Sequence, residues 1–418
     1  MPRICLSLVI LCMLATSALA QGTAEPDPSI PLPVELAAEL AALDERPAYL
    51  QDADVTAAAY LAQPGLVVPA EAPSAESPRP VRRSSRSEYV RLARVPNMLG
   101  DSLSTGGQFV VGDTTGQTKF ISDVPLGFAR SVKIGENNKG LPMDRVYFIY
   151  NGFQNALQRD NGAGQIVDAN VDRYTLGGEK TFWDGLASLD VRMPFIGSFA
   201  SPEDAQGAIS TGNVGDVSLF FKGLLYADNF VSVAAGVGTT VPSASAVEGQ
   251  IQGAPFRIDN RAVHVLPYFG VVLSPDDAWF FQAFVQCDFA ASGYRIQQGG
   301  QSGPVLTEQN FLYVDALAGR YLYQNESAPY LTGIAGLVEL HYISALNNAD
   351  LVQLELGNSV GTLGNIYNRV DYLNLTGGVQ FDIGQLANLR VSCVVPLKTD
   401  TADRQFDSEV LVSFNRYF

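Results

Sequence analysis

The sequence predicts an all-β protein, an antiparallel transmembrane β-barrel of about twelve strands behind an N-terminal disordered and helical periplasmic extension. Three observations predict it. From Asp144 to the C-terminus, about twelve segments alternate apolar with polar residues. Each is near or above the ~9–11 residues that a tilted strand needs to cross a bilayer. The connections between them alternate short and long. The last segment, Glu409–Phe418 (EVLVSFNRYF), sets Val410, Val412, Phe414 and Phe418 on one parity, with Glu409, Ser413 and Asn415 on the other.

At the start of the chain, Arg3, the apolar run Ile4–Leu14 and Ala18-Leu19-Ala20 before Gln21 read as a secretory signal peptide over residues 1–20. Leu11 before Cys12 excludes a lipoprotein site, which needs a small residue there. The chain carries a formal net charge of −16, and −17 once Arg3 is removed, which argues against nucleic acid as a partner. Two of the four cysteines leave with the leader. Cys287 and Cys393 fall in different strands on the lipid-facing parity, and sequence alone leaves open whether they pair. Two histidines and no Cys-x-x-Cys suggest no metal site and no cofactor. Past the leader no apolar run approaches the ~20 residues of a membrane helix.

Residues 21–96 read as a low-complexity extension. Val34–Leu43 has helical spacing, and Pro64–Pro80 is too poor in large apolar groups to bury a core. Arg79, Arg82, Arg83 and Arg86 form a basic cluster that is either a solvated linker or a contact for anionic cell-wall or lipid groups. Residues 97–143 are Gly-rich and irregular, a plug inside the barrel or a periplasmic lead-in. The barrel itself is assigned to 144–418.

The strands are expected at 144–153, 169–181, 185–195, 214–227, 229–241, 262–273, 277–290, 308–323, 328–343, 371–384, 387–398 and 407–418. Alternation is clean in several. Trp279, Phe281, Val285 and Phe289 oppose Gln282, Gln286 and Asp288, and Leu389, Val391, Cys393 and Val395 oppose Arg390 and Ser392. Gly177-Gly178 suggests a bulge. Connections after even-numbered strands are tight, as in Phe182-Trp183-Asp184 and Ser274-Pro275-Asp276, and those after odd-numbered strands are long. An outer-membrane barrel alternates in this way, with short periplasmic turns and longer outside loops. An even strand count leaves both termini on the periplasmic side.

Two resemblances bear on the reading. The terminal strand resembles that of bacterial outer-membrane proteins, whose assembly machinery reads a C-terminal Phe, which implies Phe418 as an assembly signal; Arg416 departs from that pattern. Lys133–Asn155 (KIGENNKGLPMDRVYFIYNGFQN), Asn170–Gly185 and Leu189–Phe195 look like a family of planctomycete outer-membrane barrels. Gly215–Tyr226 and Val231–Pro242 are similar to strands of barrels associated with phenol degradation. The resemblance implies fold and an outer-membrane location, and little about mechanism.

Function is expected in the inward-facing residues. Taking the lipid face as apolar places Asp190, Arg192, Lys222, Asp288, Glu339, His341, Asp382 and Arg390 in the lumen, as a mutually satisfied structural network or as determinants of selectivity. The small inward set Ser232, Ala234, Gly236, Gly238 and Thr240 is expected to leave space beside that wall. The preferred reading is a narrow pore for small solutes. The alternative is a non-transporting envelope anchor or surface-loop adhesin, tied to the cell wall through the extension. A phospholipase-type barrel enzyme is disfavoured: neither His264 nor His341 stands in a His-x-Ser-Asn arrangement, and His341 beside Glu339 is the only pair with a catalytic look.

Overall fold

Period-two alternation commits each segment to a strand with one apolar and one polar face. The computed structural model describes residues 90–418 apart from 102, 104–105, 114–117, 127–131, 161–165, 198–206, 211–212, 252–253, 357–358 and 401–402. Twelve strands form the wall: β1 (Arg145–Asp160), β2 (Ile166–Phe182), β3 (Ala187–Ile196), β4 (Val217–Ala227), β5 (Val231–Val241) and β6 (Val263–Leu273). They continue as β7 (Trp279–Ser292), β8 (Phe311–Gln324), β9 (Leu331–Ala345), β10 (Asp371–Ile383), β11 (Ala387–Pro396) and β12 (Ser408–Tyr417). Each pairs antiparallel with the next, and β12 returns to β1 from Tyr417↔Arg145 to Ser408↔Gln154. The barrel is closed.

Short and long connections segregate to opposite ends. At the tight end, Asp228 Oδ1 accepts from the amides of Phe230 and Val231 at 2.7 and 2.8 Å, and Asp276 does the same for Ala278 and Trp279. These Asx turns fix the strand-to-strand reversal locally. The turn between β2 and β3 runs through three positive φ values at Trp183, Asp184 and Gly185.

Outward positions are apolar around the barrel. Leu176, Val191, Met193, Phe221, Val237, Phe269, Phe281, Val285, Leu340 and Phe414 are all exposed. Cys287 and Cys393 also face outward, on β7 and β11, and both are free thiols.

Inside, five rings lie across glycines on the neighbouring strand. Tyr147 pairs with Gly177, Phe220 with Gly238, Tyr268 with Gly236, Phe284 with Gly270 and Phe280 with Gly319. A Cβ on any of these glycines would stand 2.0 to 2.4 Å from its nearest neighbouring atom. This corrects two expectations. Gly177-Gly178 forms no bulge: the register runs straight through it, and the shift lies between Phe153 and Leu157. The small residues of β5 leave no open space, because Phe220 and Tyr268 from the flanking strands fill it.

The long-loop end is not irregular either. Gly106–Asp113 and Thr118–Pro125 form a hairpin that pairs through its first strand with Ser359–Gly364, which in turn pairs with Leu351–Leu356. A separate five-stranded sheet joins Gly207–Ser210, Val247–Ile251, Ala254–Asp259, Tyr294–Gln298 and Gln301–Leu306. Val124, Leu126, Val247, Phe256, Ile258, Tyr294, Ile296, Leu306, Val352, Leu354 and Leu363 make one apolar core there. The result is a β cap over that mouth of the barrel. The short capping strands escaped the sequence reading because Gly and Pro interrupt them, as in Gln301–Leu306 (QSGPVL).

Candidate functional site

A wall of twelve strands encloses more space than its own inward side chains fill; eight is about the number at which they suffice. In this protein the chain before β1 occupies that space. The five-residue helix α1 (Val90–Arg94) sits at the tight-turn mouth, where Arg91 Nε lies 2.8 Å from Asp277 Oδ1 and Arg94 pairs with Glu326. From there the chain ascends. Gln282 Nε2 donates to Pro96 O, Arg390 Nη1 to Asn97 O at 2.9 Å and Met98 O at 3.0 Å, and Asn374 Nδ2 to Asp101 Oδ2 at 2.7 Å. The hairpin 106–125 then stands in the cap, and residues 132–143 descend. Gln286 Nε2 donates to Val132 O, Arg192 Nη1 to Lys133 O, Lys222 Nζ to Asn138 Oδ1 and Ser232 Oγ to Gly140 O, at 2.6 to 3.0 Å. The two arms join each other through Met98 N and Asn138 O at 2.8 Å. The lumen is thus threaded twice.

Apolar contacts hold the insert as well. Leu92, Val95, Met98, Leu99, Val132, Ile134 and Leu141 pack in one cluster with wall residues Phe220, Leu266, Tyr268, Phe280, Phe284, Leu317 and Leu337. Each such side chain contributes about 1.5–3 kcal/mol relative to leaving it exposed.

The eight residues expected in the lumen all face it. Seven are buried, and Asp382 is half-buried beside Gln380, whose Nε2 donates to it at 2.7 Å. The seven buried ones are bonded to neighbouring groups. Asp190 accepts from Tyr147 Oη at 2.7 Å and pairs with Arg192 at 3.0 Å. Lys222 pairs with Glu179 at 2.9 Å, and Glu179 with Arg145 at 3.1 Å. Asp288 contacts His264, whose Nε2 lies 2.8 Å from Glu308. Glu339 accepts from the amides of Leu99 and Gly100 at 2.7 and 3.1 Å.

Each histidine ring lies between two carboxylates, His264 between Asp288 and Glu308 and His341 between Asp315 and Glu339. Sequence reasoning missed Asp101, Lys133, Glu136, Arg145, Glu179 and Asp315. Only the dense polar run at 133–139 (KIGENNK), without strand alternation, hinted at them.

Outside the wall, at the cap, Asp216 Oδ1 accepts from the amides of Ser243 and Ala244 and from Asn260 Nδ2 at 2.7 to 2.9 Å, tying three loop segments together. Burial pushes its carboxyl up to about 6, against the pull of those donors.

No family model matches the sequence, and no curated protein matches it. Solved structures with some likeness are outer-membrane barrels. An outer membrane channel from Pseudomonas putida F1 is 11% identical over 66% of this chain and 96% of its own, with a TM-score of 0.45. The NanC porin is 8% identical over 65% of this chain and 99% of its own, with a TM-score of 0.37. The Pseudomonas putida toluene transporter TodX is 8% identical over 66% of this chain and 90% of its own, with a TM-score of 0.34. At such scores these likenesses carry no argument about what this chain does.

Proposed function

We propose that this protein is an outer-membrane barrel of the channel type that rests closed, with passage of small polar solutes requiring residues 90–143 to rearrange inside the wall. A closed barrel with an apolar outside, tight turns at one end and long loops at the other supports the membrane setting. The observation that carries the channel reading is the lumen wall. It bears Lys222, Arg192, Glu339 and Arg390, each of which bonds through its side chain to the stretch of chain before β1 rather than through a β ladder. Phe418 is read as the address for barrel assembly, and the extension before residue 90 as a periplasmic segment suited to the cell wall. The motifs at 133–155 and 170–195 support kinship with planctomycete outer-membrane barrels, and those at 215–242 with barrels associated with phenol degradation.

A second reading has its own observation. The hairpin 106–125 is woven into the cap, so the insert is fastened at both mouths, as suits an anchor that displays the cap. Conductance in planar bilayers separates the two. Full-length protein should be closed, and protein starting at Lys133 should conduct, with ion selectivity that shifts in Lys222→Met or Arg390→Met. A truncated barrel that inserts, keeps its heat-dependent gel shift and passes neither ions nor small solutes would leave the anchor reading.

A further inference from the structure

The half of the lumen nearer the cap brings together three residues far apart in sequence. Asp101 comes from the ascending arm, Asp315 from β8 and His341 from β9. Asp315 Oδ1 lies 2.8 Å from His341 Nδ1, and Asp101 Oδ1 lies 3.5 Å from the same nitrogen. The three donor atoms fall within 4.8 Å of one another and all three residues are buried. Bonds of about 2.0–2.2 Å to one ion put neighbouring ligand atoms roughly 3–3.5 Å apart, so these spacings suit a single small cation. Lys133 Nζ stands at that place, paired with Asp101 and 3.2 Å from Asp315 Oδ1.

The surroundings are more than an acidic cluster. His341 Nε2 lies 3.1 Å from Glu339 Oε2 and makes no hydrogen bond, so a small turn of either side chain would give the carboxylate–imidazole pairing that orients a metal-binding ring. Asn374 holds the other oxygen of Asp101, and two backbone amides hold Glu339. Asp315 Oδ2 is buried without a hydrogen-bond partner, in position to complete a bidentate carboxylate.

We infer that Asp101, Asp315 and His341 form a divalent-cation site for a borderline ion such as Zn2+, kept filled by Lys133 as a tethered substitute. Entry of the ion exchanges Lys133 for metal and unfastens the descending arm at that point. Such a donor set of one imidazole and two carboxylates suits Zn2+ better than Ca2+ or Mg2+, which take oxygen ligands.

The test uses full-length protein refolded in detergent with Zn2+, dialysed to equilibrium, and its bound metal counted by mass spectrometry. Lys133→Met should bind a zinc ion per chain roughly tenfold tighter than the wild type. Adding His341→Gln to it should remove that ion. A retained heat-dependent gel shift shows that the barrel is folded. Should Lys133→Met not fold, Co2+ absorption of the wild type against His341→Gln decides: a visible band present only in the wild type supports the site. Equal zinc in folded wild type and Lys133→Met, or equal Co2+ spectra for wild type and His341→Gln, overturns the inference.

Discussion

Gly319 of β8 lies under the ring of Phe280 on β7, and Gly319→Ala tests whether that contact is as tight as the geometry says. A Cβ at 319 would stand 2.1 Å from Phe280 Cε2 and 2.3 Å from Cζ. Carbon atoms rest about 3.5–4.0 Å apart, so the ring must retreat by roughly 1.5 Å or leave its rotamer. Overpacking on this scale costs about 1–3 kcal/mol. A loss of about 2 kcal/mol lowers the folded-to-unfolded ratio roughly thirtyfold. Gly377 on β10 is the control, since a Cβ there meets nothing within 4 Å; its alanine variant should stay within about 0.5 kcal/mol of the wild type. The assay is equilibrium urea unfolding in lipid vesicles, followed by the fluorescence of Trp183 and Trp279 and by the gel shift. Phe280→Ala alone should cost about 3–5 kcal/mol. In the double variant the new methyl drops into the vacated space, so the cost should fall short of the sum by about 1 kcal/mol or more. If Gly319→Ala unfolds at the same urea concentration as Gly377→Ala, the ring-over-glycine reasoning is wrong.

Lys222→Met should lower stability by about 3–5 kcal/mol, because it removes the cation beside Glu179 in a buried network; an unchanged urea midpoint would argue against that pairing. Deleting Phe418 should reduce the amount of inserted barrel while secretion continues, measured by outer-membrane fractionation, and equal membrane levels would count against the assembly role. The raised pKa of Asp216 has a pH signature. Between its ordinary value of 3.8 and about 6 the folded protein holds a proton that the unfolded chain has lost. Stability relative to Asp216→Asn should therefore fall as pH rises through that window. A difference that is flat or rises between pH 4 and 6 would refute the burial account.

The barrel was legible in the sequence because its strongest signals are local. A strand that faces lipid must be apolar at every second residue, and the Asp-led turns mark the reversals, so strand parity and the lumen side of Asp190, Lys222 and Arg390 could be read directly. The insert was less legible. Lys133 gains meaning only from Asp101, 32 residues before it, and Asp315, 182 residues after it. No pattern within a window links them. The apolar residues of the lumen went unread for another reason: Leu266, Phe280, Phe284 and Leu337 face inward against the insert, where an aqueous lumen predicts polar groups. The rings that fill the glycine gaps escaped notice because the pairing is across strands, and register cannot be read from one strand at a time.

The doubly threaded lumen favours one order of events in the making of the protein. The N-terminal excursion runs up one side, joins the cap and comes back down before the first wall strand begins. The hairpin 106–125 pairs with Ser359–Gly364 in the cap, so closing the seam between β1 and β12 around an excursion already in place would spare it a passage through the cylinder. The wall makes room for that excursion at Gly378, where an added Cβ would stand 2.7 Å from Leu99.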